Sequence, residues 1–116
     1  MAQLGARVIA VDKAPLAPRV ASFSNVAVRR DSAFALDPAA VGPVDWLLSD
    51  VVCYPDRLYR LLEKWLASGL ARNVVCTLKF QGATDFAAQS RFAQLPGGRL
   101  VHLHHNKHEL TWLWPA

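Results

Sequence analysis

The sequence predicts an α/β fold built on an open, mostly parallel sheet that closes in an antiparallel C-terminal hairpin. Three observations lead there. Short apolar runs alternate with helical or turn-rich connections through most of the chain, and parallel strands need such crossovers. The last two apolar runs, residues 99–105 and 110–114, are joined only by the polar loop Asn106-Lys107-His108, so they must run antiparallel. Two interior strands also end on polar groups at corresponding ends. Residues 44–49 read as a buried strand that delivers Asp50, and Val74-Val75-Cys76-Thr77-Leu78 ends in Lys79 just before the backbone leaves through Gly82. Lysine is among the residues least often fully buried. In open α/β sheets the carboxyl edge is where ligands bind.

The elements follow in order. Residues 7–12 form a short apolar strand ending in an acid, and Lys13-Ala14-Pro15-Leu16-Ala17-Pro18 breaks regular structure after it. Residues 25–29 are a second short strand. Asp37-Pro38 and Gly42-Pro43 bracket a turn-rich connection to the strand at 44–50. The clearest helix comes next. Pro55 suits a first turn, Leu58, Leu61, Leu62, Trp65 and Leu66 recur at helical spacing, and Gly69 ends the pattern. Its opposite face carries Arg57, Arg60, Glu63 and Lys64. Residues 73–80 are the fourth strand, Thr84 or Asp85 caps a helix to about Gln94, and Pro96-Gly97-Gly98 makes a turn before the closing strands.

With 116 residues, 53% of them hydrophobic, the chain is within the range of one small domain with a core of its own. No apolar stretch approaches the roughly 20 residues that cross a bilayer, and the N-terminus lacks the order of a secretion signal. These features place the protein in the cytoplasm, with no membrane partner. Cys53 and Cys76 lack a metal-type spacing and read as reduced, structural thiols. The net charge of +4 suits a phosphate-bearing partner and equally an ordinary solvated surface.

Five pieces in order carry a family resemblance: Val8-Ile9-Ala10-Val11-Asp12, Asp31-Ser32-Ala33-Phe34, Leu47-Leu48-Ser49-Asp50, Leu78-Lys79-Phe80-Gln81-Gly82 and Lys107-His108-Glu109-Leu110. Together with Trp65-Leu66 and Gly69-Leu70 of the long helix, this order resembles the FtsJ-like ribose 2'-O-methyltransferases that use S-adenosylmethionine, and within them the subgroup acting on large-subunit ribosomal RNA. The resemblance runs over residues 1–116 and implies a Rossmann-like class I methyltransferase sheet. It also implies that the first strand and its glycine-rich loop, with the family's first catalytic lysine, are missing. Met1-Ala2-Gln3-Leu4-Gly5-Ala6 resembles the end of the helix that follows that loop, so the chain reads as the C-terminal part of a catalytic domain.

By that resemblance Asp50, Lys79 and Glu109 are three members of a lysine, aspartate, lysine, glutamate active site. Lys79 would take the proton of a ribose 2'-hydroxyl as its oxygen attacks the sulfonium methyl group, while Asp50 and Glu109 hold amine and ribose in line. A free amine is almost wholly protonated at neutral pH, so such a base needs tuning by burial or by a neighbouring cation, whereas adjacent carboxylates favour ammonium. Asp12 resembles the acid that accepts from the cofactor's ribose hydroxyls, Asp31 the one that accepts from its adenine amino group, and Asp50 borders both sites. The implied cofactor is S-adenosylmethionine and the implied partner ribosomal RNA. If the central strand is absent, its neighbours stand roughly 10 Å apart, with unpaired apolar edges that invite self-association. Little cofactor binding and little activity are then expected of the isolated chain.

Simpler readings stand beside these. Lys79 can reach solvent along its alkyl stem, Asp50, Asp12 and Asp31 can be turn formers, and Glu109 can be a solvated strand opener. His102 and His104 share a face at alternate strand positions, but without a cysteine or acid at ligand spacing they imply no metal. Trp46, Trp65, Trp112 and Trp114 read as core and hairpin packing rather than stacking platforms for bases. Arg29, Arg30, Arg57, Arg60, Lys64 and Arg72 suit a phosphate-facing surface or a solvated one. Two other classes remain open: a non-enzymatic remnant or interaction module of Rossmann-like fold, and a nucleotide-binding oxidoreductase, the latter weakened because no glycine fingerprint precedes Asp12.

Overall fold

The computed structural model describes residues 1–115, which form two compact units, Met1–Asp37 and residues 38–115. In the first, a 3-10 turn at Ala2–Leu4 leads into β1 (Val8–Val11), which pairs in parallel with β2 (Val26–Arg29) after the single-turn helix α1 (Pro18–Ala21). The Asn25 amide donates to the carbonyls of Ala2 and Ala6, at 2.8 Å each, and so ties the N-terminal turn to the start of β2. Among the described residues no apolar side chain of this unit is fully buried.

The second unit contains α2 (Pro38–Val41), β3 (Val44–Ser49), α3 (Pro55–Ser68), β4 (Ala71–Lys79), α4 (Phe86–Ala93), β5 (Arg99–Val101) and β6 (Glu109–Trp114). Its sheet has the order β3-β4-β6-β5. β3 runs parallel to β4, while β6 lies antiparallel to both β4 and β5. The chain therefore shows mixed α/β architecture, with parallel pairs and an antiparallel C-terminal hairpin.

The core lies on one sheet face. Val74, Cys76 and Leu78 alternate along β4, and Trp112 of β6 stands opposite Cys76. These side chains are buried together with Leu58, Leu61, Leu62 and Trp65 of α3 and Ala88 and Phe92 of α4. Fully burying each large apolar side chain is worth about 1.5–3 kcal/mol. The helix ends follow from local chemistry. Gly69 takes a left-handed conformation at φ 66°, which lets its N–H cap the Leu66 carbonyl. Asp85 accepts the Ala88 N–H at 2.9 Å and starts α4. The buried Trp112 indole donates to the Phe92 carbonyl at 3.1 Å. Gly98 makes room for that ring, because a Cβ there would sit 2.2 Å from Trp112 Cζ2.

The structure corrects several expectations. The strand at 99–105 stops at Val101, and 102–108 is a loop, so His102 and His104 do not alternate along a strand. The cause is Asn106, whose side-chain oxygen accepts the Leu103 N–H at 2.7 Å and closes a turn that competes with strand pairing. β3 is not a buried strand. Among the described residues it pairs only with β4, and Trp46 and Leu48 on its outward face are each 52% exposed, so Trp46 is not a core residue. The connection read as turns contains the short helix α2.

Candidate functional site

Strand direction and register bring the acid and amine sequence positions together within the second unit. β3 and β4 are parallel, with Ser49 beside Cys76, so the chain leaves β3 at Asp50 on the side where β4 continues to Lys79. Side-chain alternation puts Asp50 on the sheet face of Trp46 and Leu48, opposite the core, and Lys79 on the matching face of Val75 and Thr77. The Lys79 ammonium reaches the Asp50 carboxylate at 2.9 Å. Across the antiparallel ladder the residue opposite Lys79 is Glu109, which opens β6. Directly opposed residues on one face lie close enough for their side chains to interact.

Burial divides this trio. The Lys79 side chain is 21% exposed, whereas that of Asp50 is 75% exposed. An ion pair with so solvated a carboxylate adds little to stability. Its effect is positional: the amine is held against the sheet and aimed toward the β3 end. Glu109 is half-buried, and its Oε1 accepts from the Asn106 amide at 3.3 Å. Asn106 Oδ1 also accepts from the hydroxyl of buried Thr111 at 3.3 Å. One asparagine thus orders the loop before β6 and orients its first carboxylate. Sequence reasoning placed Asn106 in a polar loop and missed this role. The signal available was an asparagine three residues before a strand-opening acid.

A second group borders the first. A cavity of about 190 Å³ is lined by Phe80, Thr84, His108 and Glu109 among others. The Phe80 and His108 rings are 5.3 Å apart at 42°, and the Thr84 hydroxyl and His108 Nε2 share a hydrogen bond of 2.9 Å. The sequence reading did not join these residues, because they come from two segments far apart in the chain.

The thiols are nearby but not nucleophilic. Burial pushes the Cys53 thiol up, opposed by the Arg57 charge, a hydrogen bond from the Leu58 backbone and the Lys79 charge. Cys76, enclosed in the core, is pushed up to about 12 by burial and by neighbouring Cys53. A thiol kept protonated is a poor nucleophile and a poor metal ligand. Among the described residues no three His, Cys, Asp or Glu side chains gather as a metal site would require, and no helix is long and apolar enough to cross a membrane.

Asp12 and Asp31 belong to the first unit. Asp12 follows β1, continues its ladder by donating its N–H to the Arg29 carbonyl at 3.1 Å, and accepts the Ala14 N–H at 2.9 Å. Asp31 follows β2 and accepts the Ser32 N–H at 2.7 Å. Both side chains sit on exposed residues at strand ends, each with one oxygen engaged by a local turn.

No protein-family model matches the chain. It is similar to curated proteins named ribosomal RNA large subunit methyltransferase M. The Aromatoleum aromaticum protein is 31% identical over 121 residues, covering 96% of this chain and 32% of the relative. The Halorhodospira halophila protein is 34% identical over 112 residues, with 92% and 32% covered. The Azotobacter vinelandii protein is 38% identical over 73 residues, with 63% and 20% covered. The chain spans about a third of the length of the first two.

Proposed function

We propose, on the premise that this chain is homologous to a third-length segment of the ribosomal RNA large subunit methyltransferase M proteins, that it is the acceptor half of an RNA methyltransferase domain. The reaction is methyl transfer to a ribose 2'-hydroxyl of large-subunit ribosomal RNA, in the cytoplasm. The observation that supports it is the meeting of Lys79, Asp50 and Glu109 at one sheet edge, with the amine 2.9 Å from one acid and opposite the other in register.

S-adenosylmethionine, when bound, supplies an electrophilic methyl group on its sulfonium. The acceptor chemistry of the chain fits that molecule in part. Exposed carboxylates at Asp12 and Asp31, after β1 and β2, are acceptors suited to a hydroxyl pair and an amino group. Every chemical task assigned here belongs to protein side chains. As the neutral amine, having first given up its own extra proton, Lys79 Nζ accepts the 2'-hydroxyl proton, Asp50 holds that amine in place, and Glu109, steadied by Asn106, positions the ribose. Alignment of nucleophile and methyl carries much of the rate in such a transfer.

No glycine fingerprint precedes Asp12 within these 116 residues, so the contacts that such a loop makes are not assigned to this chain. The deciding experiment is a chimaera in which this chain replaces the aligned segment of the Aromatoleum aromaticum relative. Such a chimaera should transfer methyl groups to ribosomal RNA, and Lys79→Ala should abolish transfer while leaving cofactor binding nearly intact. Transfer retained by Lys79→Ala would remove the lysine from its role, and methylation found on a base would exclude the ribose.

A further inference from the structure

We propose that the cavity beside Glu109 seats the base of the acceptor nucleotide, so that one unstacked RNA base occupies it while its ribose faces Lys79. This rests on the methyl-transfer reading and deepens it. The cavity and the Lys79 centre share Glu109, which lines the one and stands opposite Lys79 in the ladder. By strand alternation Phe80 lies on the sheet face opposite Lys79, so a nucleotide whose ribose faces Lys79 at the sheet end would reach the cavity with its base by passing round that end.

Size and lining agree with that occupant. At about 190 Å³ the cavity lies below the roughly 300–1,000 Å³ of sites for drug-sized ligands, and suits a single planar ring system. Phe80 is half-buried and His108 exposed, so aromatic surface is available to a base on a wall that also carries polar groups. Gln89 and His102 add an amide and an imidazole, and the Thr84 hydroxyl fixes the His108 ring at 2.9 Å. Single-stranded RNA bases are held in this way, by stacking on aromatic side chains and by hydrogen bonds to their edges.

The test is a titration of the isotope-labelled 116-residue chain with AMP, CMP, GMP and UMP, read by the ring resonances of Phe80 and His108 and the side-chain resonances of Lys79. At least one nucleotide should move both sets along a single saturable curve. Phe80→Leu and Gln89→Ala should each weaken binding by about tenfold, in line with the loss of one stacking or edge contact. The two variants touch different segments, so if one disturbs the amide spectrum the other decides. Equal shifts and affinity with ribose 5-phosphate would overturn the proposal, because the base would then contribute nothing. Ring resonances unmoved by all four nucleotides would overturn it too. Loss of transfer in the Lys79→Ala chimaera alongside unmoved rings would sink the base pocket alone; retained transfer would sink the parent reading instead.

Discussion

The Lys79 ammonium and the Asp50 carboxylate stand 2.9 Å apart, one largely covered and the other largely in water. That asymmetry makes the contact a positioning device and a poor source of stability, since exposed ion pairs contribute about 0–1 kcal/mol. Asp50→Asn is therefore expected to leave the melting temperature nearly unchanged while lowering methyl transfer in the chimaera by about 100-fold, the lower range for a misplaced proton acceptor. Thermal melts and tritium transfer, measured on the same preparations, check the split. Comparable losses in both would make Asp50 a structural residue.

Cofactor binding offers a second check. A chain without a phosphate- or methionine-cradling loop is expected to bind S-adenosylmethionine weakly or not at all. Isothermal titration giving micromolar affinity for the chain alone would contradict the reading that the first strand and loop belong to the site.

Core packing gives a third. A methyl group at position 98 would collide with the Trp112 ring at 2.2 Å, and that ring is fixed by its bond to the Phe92 carbonyl. Gly98→Ala should cost about 1–3 kcal/mol, the usual range for overpacking. The corresponding fall in melting temperature is about 4–8 °C per kcal/mol for a small domain.

The buried thiol contributes to the loss of stability at alkaline pH. Cys76 ionises near 9 in an ordinary environment and near 12 in the folded chain. Below about 9 both states keep the proton and this group's contribution is complete. Between the two values the unfolded chain loses the proton while the native chain retains it, so stability falls as pH rises, by up to ~1.4 kcal/mol per pH unit. Urea unfolding across this window should show a shallower decline in Cys76→Ala than in the parent. Identical slopes would mean that the thiol is not shielded.

The exposed side of β3 predicts association. Among the described residues its only ladder partner is β4, and Trp46 and Leu48 are each 52% exposed. Unpaired apolar edges pair with other chains. Sedimentation should reveal concentration-dependent dimers or larger species, reduced by Leu48→Lys. A monomer at all concentrations would show that this edge is adequately protected.

What could be read from the sequence was whatever local chemistry decides. The three- and four-residue spacing of Leu58, Leu61, Leu62 and Trp65 marked α3, Asp85 marked the start of α4, and polar exits marked Asp50 and Lys79 as neighbours at one edge. Placement of β6 between β4 and β5 is set by long-range pairing and leaves no local trace. The same holds for the Phe80 and His108 wall, assembled from residues distant in the chain. The misjudged length of β5 has a different origin. A run of apolar and histidine residues suits a strand, but a side-chain acceptor on Asn106 captured the Leu103 amide that a longer ladder would have used.

All fully buried apolar side chains among the described residues fall within residues 38–115. Met1–Asp37 is held by its backbone ladder, the Asn25 tether and half-buried side chains, without a fully buried apolar residue among those described. Its amides should exchange with solvent through openings far easier than global unfolding. Any molecule gripped by Asp12 and Asp31 must bear the entropic cost of stilling that segment, so occupancy there would register first as slowed deuterium uptake.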